Sequence, residues 1–347
     1  MGQGGQLVFV NATPFKWKRC SQNSYQMNSW SFPESIEPFR TVCVYIEWNQ
    51  GAFNVMTDDT GQVTYEVAGH GNFQIQAYVK QDFHGNTFTI QINYLSLNTQ
   101  GNAKGTSHVL QWRHNSSMGF ILSGNDEIGL TSNTVPVGWM QAYFTMFGDR
   151  TLRQICMPGS HDAGMSTLNS GTAFASENNV RTQRNDIYGQ LMAGSRYFDI
   201  RPVISGGTFS TGHYSKVGPG FQGGNGQSIE SVVENVNRFL DSHNELVILY
   251  LSHTLNTDLG NQSYRGFTQE EWDKLLKQLM GLKHRYEAAS DDIDLTRLSL
   301  KSIINQASAV MCIVSDDDIS IKKPDVVLGP GFFKRSNFQV YDNFADT

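Results

Sequence analysis

The chain has 347 residues, a length that favours two domains over one. Hydrophobic residues make up 39% of it and charged residues 17%, which is normal for a globular protein with a buried core. The formal net charge of −6 provides no basic surface for nucleic acid, and it argues against strong electrostatic attraction to an anionic membrane.

The sequence shows no targeting or membrane-spanning segment. No apolar run approaches the roughly 18 residues of a spanning helix. The N-terminus, MGQGGQLVFV, lacks the charged start and apolar core of a secretory signal. These features favour a cytoplasmic location or a peripheral one at a membrane.

The four cysteines are too few and too scattered for a disulfide scaffold or a zinc site. Cys156 and Cys312 lie in apolar strand-like runs and are predicted to be buried thiols. Cys20 and Cys43 are compatible with a disulfide inside the first domain and equally with reduced thiols.

Residues 1 to about 140 are predicted to form an all-β sandwich. β-Branched and aromatic residues alternate there with polar ones, and Gly, Asn and Asp separate the segments. No stretch of helical period interrupts them. The segments are QLVFVNA, RTVCVYIEW, QVTYEVAG, NFQIQAYVK, FTIQINYLSL, HVLQWRH and GFILSG.

After residue 140, predicted strands alternate with predicted helices. This alternation is typical of a parallel sheet, either a (β/α) barrel or an open doubly wound sheet. The predicted strands are RQICMPGSH, SRYFDIRP, TFSTGHY, ELVILYLSH and SAVMCIVSD, with NFQVYDN as a sixth. Helical spacing links Ile229, Val232, Val233, Val236, Phe239 and Leu240, and then Trp272, Leu275, Leu276, Leu279 and Met280, which follow Thr268 and Glu271 at capping-box spacing.

Ionisable residues cluster at the carboxyl ends of these predicted strands. In a parallel barrel such ends meet on one face, where active sites lie. A single histidine at a strand end is more often structural, but five consecutive ends with ionisable groups are hard to explain by packing. The residues are His161, Asp162, Asp199, Arg201, His213, His253 and Asp316–Asp318.

Two histidines and one arginine are sufficient to cleave a phosphodiester. Imidazole titrates near neutrality, which suits one histidine to general-base and the other to general-acid work. The planar donors of a guanidinium stabilise the extra negative charge of the transition state. Asp162 and Asp199 are expected to hold an imidazole and the guanidinium in place. We therefore expect His161, His213 and Arg201 to act with no metal and no cofactor.

The order MPGSHDAG, GSRYFDIRP and GHY resembles the X-region of phosphatidylinositol-specific phospholipases C and related phosphodiesterases, over about residues 150–255. The resemblance implies a distorted TIM-type barrel over residues 141–347. It implies that His161 is the base acting on the inositol 2-hydroxyl and that His213 is the acid protonating the diacylglycerol oxygen, with Asp162 as its orienting partner. The substrate would be a phospholipid reached by peripheral membrane contact, and the product a cyclic phosphate.

Particular positions refine this resemblance. The eukaryotic signalling enzymes hold calcium with a carboxylate at the position of Arg201 and a Glu at that of Ser252, so the chain resembles the metal-independent, bacterial-type branch. The whole architecture, with its β-rich N-terminal domain, also resembles uncharacterised fungal phospholipase-C-like proteins. Bacterial-type enzymes place a lysine near the inositol where this chain has His253. We therefore expect His253 to contact the substrate, and specificity for inositol does not carry over.

The predicted barrel is short. A complete one needs about 250 residues, so either the barrel is abbreviated or the sequence lacks its C-terminal end. The bacterial-type enzymes support the base histidine with an Asp from a late strand, which an abbreviated barrel would lack.

Two other functions stay open. One is a membrane- or glycan-binding protein with a degenerate barrel, acting through the β domain. The other is a phosphodiesterase for a different headgroup or a glycosylated lipid anchor. Among the remaining segments, a solvated loop is favoured over a cation site at Asp316–Asp318. Burial is favoured for Phe332 and Phe333, and the Gly-rich residues 216–227 are predicted to be a loop.

Overall fold

A computed structural model of the chain describes residues 2–51, 53–82, 85–110, 112–134, 136–290, 293–305, 307–315 and 331–338. The chain divides into two compact units, Met1–Pro136 and Val137–Thr347. Among the described residues, no helix is both long enough and apolar enough to cross a bilayer.

The first unit contains two sheets. Its strands are β1 (Gln3–Ala12), β2 (Trp17–Tyr25), β3 (Met27–Trp30), β4 (Ser35–Ile36), β5 (Arg40–Trp48), β6 (Thr60–Val67), β7 (Gly71–Asp82), β8 (Gly85–Asn93), β9 (Ser107–Leu110), β10 (Ser117–Asn125) and β11 (Gly129–Thr131). The strand orders are β11-β10-β1-β5-β3 in one sheet and β4-β2-β6-β7-β8-β9 in the other. Strands β1 and β10 pair in parallel, and the other pairs are antiparallel. Each of the seven predicted strands falls on an observed strand.

Both sheets of the first unit contribute to one apolar core. Phe9 from the first sheet and Trp17 and Phe73 from the second are fully buried in it. The Trp17 ring meets the Phe73 ring edge-on at 5.2 Å between centroids. Such contacts are a favourable geometry for aromatic pairs, which explains why this part of the chain is rich in aromatic residues.

The second unit contains ten strands and seven α-helices among its described residues. The strands are β12 (Gly159–Ser160), β13 (Ser170–Gly171), β14 (Tyr197–Ile200), β15 (Pro202–Ser205), β16 (Thr208–Val217), β17 (Gly220–Ser228), β18 (Leu246–Leu251), β19 (Leu255–Asn256), β20 (Ala309–Val314) and β21 (Phe332–Lys334). The helices are α1 (Trp139–Ala142), α2 (Phe144–Phe147), α3 (Glu177–Val180), α4 (Ile187–Met192), α5 (Ile229–Leu240), α6 (Gln269–Leu279) and α7 (Leu300–Ile304).

A parallel sheet with the order β12-β14-β18-β20-β21 forms the centre of this unit. Every residue of β20 is buried, as is all of β18 except Tyr250. Two-sided burial explains why these strands read as continuous apolar runs. The prediction of Phe332 and Phe333 as buried residues is confirmed, and both belong to β21.

The prediction for the third strand of this sheet was wrong. Strand β16, which contains His213, pairs antiparallel with β15 and β17 in a second sheet, ordered β13-β17-β16-β15-β19. The Gly-rich segment is also not a loop, since most of it is β17. A Cβ at Gly223 would lie 2.0 Å from the His213 carbonyl oxygen. The glycines of β17 therefore permit close pairing with β16, although the sequence of β17 has no alternating apolar pattern.

Both predicted amphipathic helices are confirmed. The six apolar residues identified for α5 are all buried. Helix α6 begins with the predicted capping box, in which the Thr268 hydroxyl accepts from the Glu271 amide over 3.3 Å. Met280 follows the end of α6 and is 58% exposed.

All four cysteines are free. The prediction of a buried thiol is confirmed for Cys312, and burial raises the pKa of that thiol to about 12. It was wrong for Cys156, which is exposed, because β12 is limited to two residues and does not include it.

Candidate active site

The turn after β12 carries the first two candidate residues. Asp162 has a left-handed backbone, with φ of 46°, which Asp tolerates better than most residues. The Ala163 amide donates to the Asp199 carbonyl over 2.8 Å and so attaches the turn to β14. A Cβ at Gly164 would lie 2.2 Å from the Thr211 side chain. Glycine at this position therefore lets β16 approach the same turn.

The Asp162 carboxylate links one histidine to the arginine. One of its oxygens, Oδ2, lies 2.6 Å from His213 Nδ1, and the other, Oδ1, lies 2.6 Å from Arg201 Nε. The Asp162 side chain is fully buried, whereas that of His213 is 29% exposed. Because Asp162 occupies Nδ1 of His213, Nε2 is the ring nitrogen left to act on a substrate.

His161 is the most accessible member of the group. Its side chain is 69% exposed, its Nδ1 lies 3.0 Å from Asp199 Oδ2, and its Nε2 lies 3.4 Å from Arg201 Nη2. The Gln183 amide also donates to the His161 carbonyl over 2.6 Å. The His161 backbone is thus held by Gln183 and its Nδ1 by Asp199, while the ring remains exposed to solvent.

Arg201 lies between β14 and β15 and contacts both carboxylates. Its Nε is 3.2 Å from Asp199 Oδ2 as well as 2.6 Å from Asp162 Oδ1, and its side chain is 17% exposed. The Arg201 carbonyl accepts from the Gly212 amide over 2.9 Å, which places β16 beside it. His213 therefore reaches the site from the second sheet.

Opposing effects act on the Asp162 carboxyl. Burial acts to raise its pKa. The hydrogen bond with His213 and the charges of Arg201, His213 and His161 outweigh burial, and the pKa lies below its ordinary value. Asp162 is therefore a fixed anion between three groups that carry or can accept a positive charge.

His253 lies apart from these contacts, at a cavity of about 220 Å³ that Arg201 also lines. Tyr214, Phe221 and Leu255 form much of its wall. Burial raises the pKa of Tyr214 to about 12, so its hydroxyl stays protonated and donates to Asn225 over 2.7 Å. The cavity thus combines an apolar wall with a guanidinium and an exposed imidazole.

Sequence reasoning assigned no role to Ser252 in the site. Its hydroxyl lies 3.1 Å from Asp199 Oδ1 and 2.8 Å from His253 Nδ1. The sequence analysis named Ser252 only as the position where the eukaryotic signalling enzymes have a Glu, and a lone serine carries no spacing signal of its own. The cluster Asp316–Asp318 and most of the predicted sixth strand lie outside the described residues.

The residues His161, Asp162 and Asp199 bring ligand atoms within 4.8 Å of one another, a set able to hold a metal ion. Arg201 contacts both of these carboxylates. A guanidinium already provides positive charge at the place where a cation would bind, and a metal ion there would be repelled by it.

Comparison with known proteins supports the motif-based resemblance. Over 139 residues the chain is 25% identical to a PI-PLC X-box domain-containing protein of Dictyostelium discoideum. The chain therefore resembles proteins of the PI-PLC X-region family. The match covers 36% of this chain and 17% of the relative, so the chain spans about a sixth of that protein's length. No family model matches.

Two solved structures of the phosphatidylinositol-specific phospholipase C of Staphylococcus aureus are also similar to this chain. One is described for its membrane binding, with 19% identity and a TM-score of 0.37, and the other is an F249X mutant, with 18% and 0.38. Each comparison covers 52% of this chain, and 53% and 52% of the respective solved chain. The chain spans about half of these structures, and at such TM-scores they define nothing about its fold.

Proposed function

We propose that this chain is a phospholipase C-type phosphodiesterase acting on phosphatidylinositol or a similar phospholipid. One observation carries the proposal: Arg201 Nη2 lies 3.4 Å from His161 Nε2, and Asp162 joins Arg201 to His213. Two imidazoles and one guanidinium thus lie around one buried carboxylate. The resemblance to a PI-PLC X-box protein supports the same reaction class.

The proposed reaction is an internal transfer. A headgroup hydroxyl attacks the phosphorus, and its proton passes to His161 Nε2. The bond from phosphorus to the lipid oxygen breaks, and His213 Nε2 gives that oxygen a proton. The products are a diacylglycerol and a cyclic phosphate, after which the two histidines have exchanged protonation states.

Arg201 stabilises the charge that builds on the phosphoryl oxygens. It is held by Asp162 and Asp199, so little reorganisation is needed as the charge develops. Asp162 also orients His213 through Nδ1, which leaves Nε2 for the lipid oxygen. In this proposal Asp199 orients His161, which is the task of a late-strand Asp in the bacterial-type enzymes.

The headgroup is proposed to bind in the cavity between Arg201 and His253. Cyclisation requires a hydroxyl on the carbon next to the phosphate ester, which inositol and glycerol headgroups have and choline lacks. Cleavage of phosphatidylinositol and phosphatidylglycerol but not phosphatidylcholine is therefore expected. A preference for a headgroup other than inositol would identify the different-headgroup alternative.

We also infer the finer architecture and setting from the motifs. The first unit is proposed to be a β-sandwich and the second a distorted TIM-type barrel, divided near residue 140. Contact with a membrane surface would be peripheral, since the substrate is a lipid.

Replacing either proposed catalytic histidine tests the function. His161→Asn and His213→Asn keep a polar side chain but remove the titrating nitrogen, and each should lower turnover of phosphatidylinositol in mixed vesicles about a hundredfold or more. His284→Asn is the matched control, since His284 contacts the exposed Asp241 away from the site. Full turnover in both site variants would refute the proposal.

A further inference from the structure

The Ser252 hydroxyl connects the cluster of His161, Asp199 and Arg201 to His253 at the cavity. Ser252 follows β18 and is only 2% exposed. Its Oγ lies 3.1 Å from Asp199 Oδ1 and 2.8 Å from His253 Nδ1. Its amide donates to the Ile200 carbonyl over 3.0 Å, so its backbone is fixed against β14. A buried serine in this position has both of its hydrogen-bond partners among functional candidates.

The proton count defines the direction of both hydrogen bonds. A serine hydroxyl has one proton to donate. Asp199, which also contacts the Arg201 guanidinium, is a carboxylate and can only accept. Ser252 therefore donates to Asp199, and its oxygen accepts from His253. It follows that Nδ1 of His253 carries a proton in this arrangement.

The two carboxylate oxygens of Asp199 contact different groups. Oδ2 lies 3.0 Å from His161 Nδ1 and 3.2 Å from Arg201 Nε, and it accepts from the Asp162 amide over 3.3 Å. Among the described residues, Oδ1 accepts from the Ser252 hydroxyl. Rotation of the carboxylate would disturb all the contacts of Oδ2, and the Ser252 hydroxyl opposes that rotation.

We propose that Ser252 is a positioning residue that sets both the Asp199 carboxylate, which holds His161, and the imidazole of His253 at the cavity. His253 has φ of 51°, a left-handed conformation that is uncommon for residues other than glycine. Strained residues of this kind persist where their surroundings fix them, and the bond to Ser252 is one such restraint. The kinetic consequence rests on the proposed function, whereas the side-chain arrangement does not.

Imidazole nitrogen spectra of the full ¹⁵N-labelled chain test the arrangement without using activity. His161→Asn and His253→Asn assign the two rings. In the unmodified chain His253 should be protonated at Nδ1. In Ser252→Ala the ring signals of both His161 and His253 should shift, because Asp199 and His253 each lose a partner.

Ser132→Ala is the matched control. Ser132 is also buried, at 4% exposure, and bonds the side chains of Tyr94 and Asn102 in the first unit. Its loss should leave both rings unchanged. If Ser252→Ala fails to fold, Ser252→Cys supplies the same comparison, because its thiol is a weak donor of similar size. A His161 signal that does not respond, or a His253 ring protonated only at Nε2, would overturn the proposal.

Kinetics on phosphatidylinositol vesicles measure the effect on the reaction. Loss of one hydrogen bond to a charged group predicts a fall in kcat of about tenfold to a hundredfold in Ser252→Ala. KM should rise as well, because His253 lines the cavity. Ser252→Thr keeps the hydroxyl and should restore kcat, whereas a buried serine with a purely structural role would show equal kcat in all variants. If the unmodified chain hydrolyses nothing, the proposed function fails, and the spectra still decide the role of Ser252.

Discussion

The contacts of Asp162 with His213 and Arg201 bear both on the stability of the fold and on the proposed reaction. Asp162 is fully buried and touches His213 and Arg201 at 2.6 Å each. An unpaired buried carboxylate would be costly, so these contacts are also what make its burial tolerable. The same pairing keeps Asp162 ionised under acidic conditions where an ordinary Asp is protonated.

Asp162→Asn is expected to lower both kcat and stability. The amide group places donors where Asp162 now accepts, so we expect kcat to fall about a hundredfold and the free energy of unfolding at pH 7 to fall by about 1–3 kcal/mol. The pKa of Asp162 is lower in the folded chain than in the unfolded one. Its contribution is therefore complete above about pH 4 and is lost as pH falls through the lowered pKa.

Urea unfolding at pH 7 and pH 3 measures this dependence. The stability gap between the unmodified chain and Asp162→Asn should narrow at the lower pH. Asp186→Asn is a suitable control, because Asp186 caps α4 and Asn caps helices equally well. A gap that widens in acid would contradict the assigned pairing.

Arg201 leads to a prediction about metals. Its guanidinium contacts Asp162 and Asp199, the carboxylates nearest His161. We expect turnover to be unchanged by excess EDTA. In contrast, Arg201→Lys should lower kcat about a hundredfold, because an ammonium cannot reproduce the planar donors. Activity that requires added calcium would show that this assignment of charge is wrong.

At the scale of elements, strands and helices with an apolar period could be predicted and the others could not. Strand β5 and helix α5 bury regular apolar faces, and both were predicted from the sequence. Strand β2 was missed because its last six residues, 20–25, are all exposed, which leaves no alternation of apolar and polar residues to detect. Strand β17 was missed because its glycines allow its backbone to lie close to that of β16. This pairing does not depend on a pattern of buried apolar side chains that the sequence would reveal.

The site could be predicted only in part for the same reason. His161, Asp162, Asp199 and Arg201 lie in short motifs on neighbouring parallel strands, and their proximity followed from that order. His213 was predicted on a neighbouring parallel strand, yet β16 belongs to another sheet and the side chain still meets Asp162. Hydrogen bonds made by single polar residues, such as that of Ser252, depend on three-dimensional positions that no sequence period encodes.

Helix α6 offers a prediction about pH and helix capping. The hydrogen bond from Arg265, together with those from Thr268 and Asn256, lowers the pKa of Glu271 to about 2, although burial opposes this. The folded pKa is below the unfolded value of about 4.3. The stabilisation is thus complete above that pH and declines as the pH falls towards 2.

Glu271→Gln should therefore lower the free energy of unfolding by about 1 kcal/mol at pH 7. Urea unfolding at pH 7, 5 and 3 should give the same loss at the first two values and a smaller loss at the third. Glu270→Gln, one residue away and 79% exposed, should have little effect. Equal losses in the two variants would argue against a special role for Glu271.

At the scale of the whole molecule, the two units have separate apolar cores. One core consists of residues between Leu7 and Leu130, and the clusters of the second unit begin at Val137. The site residues from His161 to His253 belong to the second unit.

Phe120→Ala tests that separation. Phe120 is fully buried in the first unit and lies 4.7 Å from the Phe73 ring centroid, so its truncation should cost about 3–5 kcal/mol of stability. Turnover by the folded fraction should stay within about twofold of the unmodified chain, because the core cluster that contains Phe120 includes none of the site residues. In contrast, Phe239→Ala in the second core should lower stability and turnover together, because Phe239 packs in the cluster that contains Ile200 and Leu251, which flank Arg201 and Ser252. If Phe120→Ala abolished turnover at a temperature where the chain stays folded, the site would depend on the first unit, and a function carried by the second unit alone would have to be abandoned.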